Sequence, residues 1–490
     1  MSISEMRMPG CDGGLMKASA WFLILGAAMA GGSGADDGLP RRPNIVFILT
    51  DDQGYGDLAC HGNPVVRTPN LDRLHAESVR FTDFHVSPTC APTRCALMTG
   101  RHEFKSGVTH TIQERERMSL RAATFVPLLR EAGYATGIFG KWHLGDEDAY
   151  QPGRRGFEEV FIHGGGGIGQ TFPGSCGDAP GNTYFNPAIL HNGTFVKTQG
   201  FCTDVFFGQA LRWIEGVKGK RPFFAYIPTN APHAPYHCPE EYAAPYRGLV
   251  DPKIVGFYGM ITNIDDNVGR LLDRLREWGI EKDTLVVFMT DNGSAAGSKV
   301  HNAGMFGDKG TPHNGGTRVP CFFRWPGVLR PGDRSQLTAH LDIFPTLTEL
   351  AGAAVPDEVR RRLEGYSLVP LLRDERAPWP DRFLVTHVGR WPRGKAAESK
   401  YANCSIRKGP WLLVRLKGRG WSLHDLWRDP GQKEDLAAQR PEVVRELEAL
   451  YDRWWEEVLP CLENEEAVGP AVNPFKERYW RQFGGGPGKS

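Results

Sequence analysis

Ile45-Val46-Phe47-Ile48-Leu49 is an unbroken, largely β-branched apolar run that stops abruptly at Thr50-Asp51-Asp52. A run without polar alternation is buried on both faces, as strands of parallel sheets are. The same shape recurs at Thr284-Leu-Val-Val-Phe-Met289, which ends at Thr290-Asp291-Asn292. Residues 221–228 (Arg-Pro-Phe-Phe-Ala-Tyr-Ile-Pro) form another such strand and lead into Asn230-Ala-Pro-His-Ala-Pro235. Residues 124–132 read as a helix stopped by Gly133, followed by a strand over 134–139 and then Gly140-Lys141. Residues 253–278 carry apolar side chains at helical spacing and form the longest predicted helix. Strands alternating with helices predict an α/β fold, a large mixed and mostly parallel sheet flanked by helices.

Near residue 375 the texture changes. Residues 383–388, 405–417 and 421–426 read as short antiparallel strands and 441–455 as a closing helix. They predict a smaller C-terminal α+β subdomain over 376–490, after a main domain over 41–375; a chain of 490 residues fits that division. The glycine cluster Gly164-Gly-Gly-Gly-Ile-Gly-Gln170 has no predicted strand before it, so it reads as a loop and not as a nucleotide cradle. A formal net charge of +1 excludes a broad electrostatic attraction to nucleic acid or to an anionic membrane, so anion binding must be local.

The amino terminus reads as a targeting segment. Lys17 precedes an apolar run over 18–30 that closes on Ala28-Met29-Ala30, a small-x-small cleavage site; Met16 is an alternative start. The run is too short to span a bilayer. A signal peptide over 1–30 is therefore expected, with an exported product, periplasmic or secreted, that has no stable membrane association. Of the ten cysteines, Cys60, Cys95, Cys176, Cys202, Cys238, Cys321, Cys404 and Cys461 are candidates for disulfides whose pairing the sequence leaves open. None forms a Cys-x-x-Cys pair, which argues against a thiolate zinc site or a redox motif.

Asp51, Asp52, Asp291 and Asn292 each follow a predicted strand, at the carboxyl ends where open α/β sheets place their ligands. Adjacent carboxylates repel unless a cation sits between them. Oxygen ligands suit Ca²⁺ or Mg²⁺ and argue against zinc.

Between these strands lies Cys90-Ala91-Pro92-Thr93-Arg94, inside Ser87-Pro-Thr-Cys-Ala-Pro-Thr-Arg-Cys-Ala-Leu-Met-Thr-Gly-Arg101. This Cys-x-Pro-x-Arg segment resembles the signature of the type I sulfatases, members of the alkaline phosphatase superfamily. Further stretches that fit, in order, are Thr68-Pro-Asn-Leu-Asp-Arg-Leu74, Gly140-Lys-Trp-His-Leu-Gly145, Pro232-His-Ala-Pro235, Asp265-Asp-Asn-Val-Gly-Arg270, Asp308-Lys-Gly310, Gly315-Gly-Thr-Arg-Val-Pro320 and His340-Leu-Asp-Ile-Phe-Pro-Thr346. The resemblance runs from about residue 43 to 455. Two departures are Asn314, where the family often has Glu, and Cys95 directly after the signature.

The resemblance implies a sulfatase in which a maturation enzyme oxidises Cys90 to formylglycine. The hydrated aldehyde offers two hydroxyls, one to attack sulfur and one to expel sulfate. It implies one Ca²⁺ held by Asp51, Asp52, Asp291, Asn292 and converted Cys90. Three carboxylates and one divalent ion sum to about −1, which would repel a sulfate ester; Arg94, Lys141 and Lys309 bring the pocket to about +2. By the same resemblance those three cations stabilise the sulfuryl oxygens, Asp291 serves as a base, His233 protonates the leaving alcohol and His143 assists the second hydroxyl. The expected substrate is a small-molecule or oligosaccharide sulfate ester; a sulfated carbohydrate is favoured, with aryl sulfates as surrogates. The alternatives are a phosphonate or phosphate monoester hydrolase of the same superfamily and a catalytically inactive glycan-binding relative. Residues 146–192 and the tryptophans Trp391, Trp411, Trp421 and Trp427 are expected to shape the sugar subsite.

Overall fold

A computed structural model describes residues 39–40 and 42–486; the expected signal peptide lies outside the described residues. The run around residue 47 forms the strand Asn44–Thr50, buried along nearly its whole length, near the middle of a ten-stranded sheet. In spatial order the strands are Gly332–Arg334, Val79–Phe81, Cys321–Arg324, Thr284–Thr290, Asn44–Thr50, Phe223–Pro228, Ala135–Lys141, Glu159–His163, Ala188–His191 and Thr194–Lys197. The five from Thr284–Thr290 to Glu159–His163 run parallel, and antiparallel strands flank them on both sides. This is the mixed, mostly parallel sheet that the apolar runs predict.

Alternation along each strand sends side chains to opposite faces. Val46 and Ile48, with Ala225, Ile227, Val286 and Phe288, join the core under the helices Cys202–Val217 and Val255–Glu277. On the other face Phe47 meets Tyr226, and Phe224 meets Phe125 of the helix Phe125–Glu131, which in turn touches Phe344 of the helix Ile343–Ala351. A sheet buried on both faces explains why its strands carry no polar alternation.

The C-terminal stretch forms a four-stranded antiparallel sheet of Phe383–His387, Cys404–Lys408, Trp411–Arg415 and Trp421–Asp425, with the helix Pro441–Val458 packed on it. The segment 405–417 read as one strand is in fact a hairpin that turns at Gly409, whose φ is 53°. From Pro40 onward the chain clusters as a single compact unit.

Two expectations need correction. The glycine cluster does follow a strand, because Glu159–His163 runs straight into Gly164. Its Glu and His ends disguise it in sequence, and pairing with Ala135–Lys141 makes it a strand. Trp391 is buried in the core beneath the helix Pro441–Val458, beside Leu413, Leu447 and Tyr451, and so is withdrawn from any sugar, while Trp411 and Trp421 pack half-buried against that core. Trp427, 73% exposed, is the most exposed of the four. Cys60, Cys90, Cys95, Cys176, Cys202, Cys238, Cys321 and Cys404 are thiols and form no disulfide. No helix among the described residues is long and apolar enough to cross a membrane.

Candidate active site

Four neighbouring parallel strands deliver side chains to one spot at their carboxyl ends. In sheet order these are Thr284–Thr290 with Asp291 and Asn292, Asn44–Thr50 with Asp51 and Asp52, Phe223–Pro228 with His233 shortly beyond, and Ala135–Lys141 with its terminal Lys141. Adjacency in the sheet becomes adjacency in the site. Cys90 opens the buried helix Cys90–Thr99, and Arg94, four residues on, lies one turn along the same face. Cys95 points elsewhere, with its sulfur 3.7 Å from the Ser106 carbonyl.

The carboxylates of Asp51, Asp52 and Asp291 and the sulfur of Cys90 offer ligand atoms within 4.8 Å of one another, all buried. The Cys90 thiol donates to Asp51 Oδ1 at 3.1 Å and lies 3.7 Å from Asp52 Oδ1. Burial, reinforced by the Asp51 charge, pushes this thiol well above its ordinary value. The Asn292 amide donates to Asp52 Oδ1 at 3.0 Å, while its own Oδ1 is buried without a partner. Buried polar atoms are normally satisfied, so an orphaned oxygen beside three carboxylates marks a place for a cation. The donor chemistry therefore fits a hard ion held by Asp51, Asp52, Asp291 and Asn292.

Three cations answer the three carboxylates one to one. Arg94 Nη2 lies 2.7 Å from Asp291, Lys141 Nζ 2.5 Å from Asp51 and Lys309 Nζ 2.6 Å from Asp52. Burial alone would raise the Asp52 carboxyl, but Lys309 and then His233 override it and hold it below the usual range. Asp291 goes the other way: burial and the Asp51 charge outweigh Arg94 and push it up to about 7.

Both site histidines are oriented by backbone carbonyls. His233 Nδ1 donates to the Ala234 carbonyl at 2.6 Å, which leaves Nε2 facing Asp52 at 3.8 Å. His143 Nε2 donates to the Thr111 carbonyl at 3.0 Å, and its buried Nδ1 has no partner. Burial, then the Lys141 charge, pushes His143 well below its usual value; burial pushes His233 down to about 4. Asp52 and His143 both take left-handed backbone conformations, with φ of 69° and 58°. Strained non-glycine residues of this kind gather at functional sites.

The sequence singles out every residue of this cluster, and names the wall around it only as the segment 146–192, without its individual residues. The glycine loop lies against both histidines. A Cβ on Gly166 would stand 3.4 Å from His143 Cε1, and one on Gly167 would stand 3.0 Å from His233 Nδ1. Tyr184 donates from its hydroxyl to the carbonyls of His233 and Ala234, both at 2.9 Å. His163, the register partner of Lys141, is fully buried with both ring nitrogens unpartnered. The run of glycines within 146–192 is the sequence signal for this wall, and the structure closes that loop on His143 and His233. At the Asn314 departure, Gln432 Oε1 accepts from the Asn314 backbone N–H at 3.1 Å, and Lys309 reaches Asp52 regardless.

Residues 43–353 match the family model described as Sulfatase, and residues 302–454 match the one described as N-sulphoglucosamine sulphohydrolase, C-terminal. The chain is 31% identical over 463 residues to arylsulfatase A of Homo sapiens, covering 84% of this chain and 87% of that protein. It is 33% identical over 384 residues to N-acetylgalactosamine-6-sulfatase of Homo sapiens, covering 73% and 71%. The solved structure of Ps i-CgsB in complex with k-i-k-neocarrahexaose aligns with a TM-score of 0.77 and 28% identity over 90% of this chain and 97% of that one.

Proposed function

We infer that this chain, which belongs to the sulfatase family and is a sulfuric ester hydrolase, removes sulfate from a sulfated carbohydrate. The observation that carries the site assignment is the cluster of Asp51, Asp52, Asp291 and Cys90 with Arg94, Lys141 and Lys309 paired against it. Conversion of Cys90 to formylglycine by a maturation enzyme would supply the nucleophilic oxygen as the aldehyde hydrate. Asp51, Asp52, Asp291, Asn292 and the converted residue would hold Ca²⁺, whose charge polarises that oxygen.

The chain's own residues do the rest. Arg94, Lys141 and Lys309 offer a guanidinium and two ammonium groups to the sulfuryl oxygens, where charge builds as the ester bond breaks. Asp291, raised by burial and then by the Asp51 charge, takes the proton of the attacking hydroxyl. His233 presents Nε2 to the leaving oxygen, since its Nδ1 is spent on the Ala234 carbonyl, and serves as the acid in the form that has taken up a second proton on Nε2. His143 keeps Nδ1 as an acceptor for the second hydroxyl.

The carbohydrate reading draws support from the sugar-directed names of N-acetylgalactosamine-6-sulfatase and of the neocarrahexaose complex. Export through the segment 1–30 and a division near residue 375 between catalytic and C-terminal parts complete the proposal. A panel of sulfated oligosaccharides, aryl sulfates and phosphonate esters tests it. A kcat/KM preference for sulfated sugars is expected; preference for simple aryl sulfates or for phosphonate esters would overturn the substrate assignment.

A further inference from the structure

Cys60, His61 and His75 stand apart from the catalytic residues, and their sulfur and ring nitrogens lie within 4.8 Å of one another. Cys60 and His61 end the one-turn helix Ala59–His61, shortly after the loop that begins with Asp51 and Asp52. His75 sits in the last turn of the helix Pro69–Ala76. All three are half-buried, so an ion from solvent can reach them.

The local bonding prepares these side chains for a ligand role. His61 Nδ1 lies 2.7 Å from the Tyr55 carbonyl, and the ring stacks on Tyr55 with centroids 3.8 Å apart. A carbonyl only accepts, so the hydrogen is on Nδ1 and Nε2 carries a bare lone pair. Metal-binding histidines are commonly fixed in this way, by a backbone carbonyl on the other nitrogen. The His61 and His75 rings meet edge to face at 5.4 Å, and Phe322 packs edge-on against both, at 5.7 and 5.1 Å. Asp72 Oδ1 accepts from the Cys60 backbone N–H at 2.9 Å, which anchors the residue that bears the sulfur. The nearby cations are already engaged, Arg80 by Asp333 at 2.5 Å and Arg318 by the Tyr55 ring at 4.3 Å.

We propose that Cys60, His61 and His75 form a three-ligand site for a borderline transition-metal ion, best suited to Zn²⁺, with a fourth position left to water. One thiolate and two imidazoles are the donors Zn²⁺ takes, whereas the all-oxygen catalytic cluster suits a hard cation. The two sites therefore select different ions. Burial pushes His61 down to about 3 and His75 below its usual value, so both rings are neutral. Burial and the neighbouring Asp72 carboxylate push the Cys60 thiol well above its usual value, so the metal itself must displace that proton to water as the metal–sulfur bond forms. A bound ion would pin the loop leaving Asp52 to the helix Pro69–Ala76.

The test is a titration of the full chain with Co²⁺ and then Zn²⁺ in excess Ca²⁺, which keeps the carboxylate cluster filled. Expected are one tightly bound Co²⁺ with sulfur-to-cobalt absorption in the near ultraviolet, its displacement by Zn²⁺ and a raised Tm. Cys60→Ser should abolish that absorption, and His75→Ala should weaken binding by ~10-fold or more. Both variants should keep wild-type sulfate ester hydrolysis in Ca²⁺ alone, which also shows that they fold. Absence of the absorption in the wild type, its survival in Cys60→Ser, or unchanged affinity in His75→Ala would each overturn the site.

Discussion

Gly167 faces His233 so closely that a Cβ added there would stand 3.0 Å from Nδ1, with the Ala234 carbonyl and the Tyr184 hydroxyl each at 3.2 Å. The same Nδ1 makes the 2.6 Å hydrogen bond that aims Nε2 into the site. Gly167 thus fixes the space in which the proposed acid is oriented. Gly167→Ala should lower kcat for unactivated sulfate esters by about 10- to 100-fold, in line with small misplacements of reacting groups, and spare activated aryl esters. An equal loss on both ester types would show that the loop acts on something other than leaving-group protonation.

Removing the acid itself should follow the same pattern more strongly. His233→Ala is expected to cost roughly 10²- to 10⁴-fold, least for esters with a good leaving group. Leaving-group dependence of log kcat, measured over a series of substituted aryl sulfates, checks it: the slope should steepen in the variant.

At position 90 the side chain decides turnover. Cys90→Ala should be inactive. Cys90→Ser should release a single equivalent of alcohol and stop as a sulfated serine, because it lacks the second hydroxyl needed to expel sulfate. Sustained turnover by either variant, followed by continuous sulfate release, would contradict the nucleophile assignment.

Metal removal should both inactivate and destabilise. Three carboxylates crowded within one buried cluster repel once a cation is withdrawn. A chelator should abolish activity and lower Tm, and Ca²⁺ should restore activity better than Zn²⁺. Asp51→Asn and Asp291→Asn should retain less Ca²⁺ on desalting, read by elemental analysis; retention equal to wild type would remove them from the ligand set.

Glu103 links stability to pH. Burial pushes its carboxyl from 4.5 up to about 7, with a hydrogen bond from Ser87 pulling weakly the other way. A raised folded-state value means the folded protein holds the proton more tightly. The stabilisation is therefore complete below pH 4.5 and is lost as pH rises through about 7. Glu103→Gln should flatten the denaturant-unfolding profile across that window, by an amount on the order of 3 kcal/mol at most. A profile parallel to wild type would assign the slope to other buried carboxyls.

The sheet was legible where burial on both faces leaves a chemical trace. Phe47 and Phe288 sit in runs with no polar interruption because helices cover each side. The short strands Val79–Phe81 and Gly332–Arg334 carry no such trace, since three residues gain strand geometry only from the neighbour they pair with. Charged or polar ends hid Glu159–His163 in the same way. In the site, Asp51, Asp291 and Lys141 were readable because each terminates a buried strand, and Cys90 and Arg94 because one motif carries both. The tryptophans read ambiguously because an aromatic ring packs equally well against a sugar or a core; Trp391 is buried in the core, and Trp411 and Trp421 pack half-buried against it.

The central claim is that Cys90 becomes an aldehyde, and mass spectrometry of the tryptic peptide spanning 81–94 from the natively expressed protein tests it most directly. The account predicts the mass of formylglycine, free or hydrated, at position 90. An unmodified thiol at that position in catalytically active protein would contradict it.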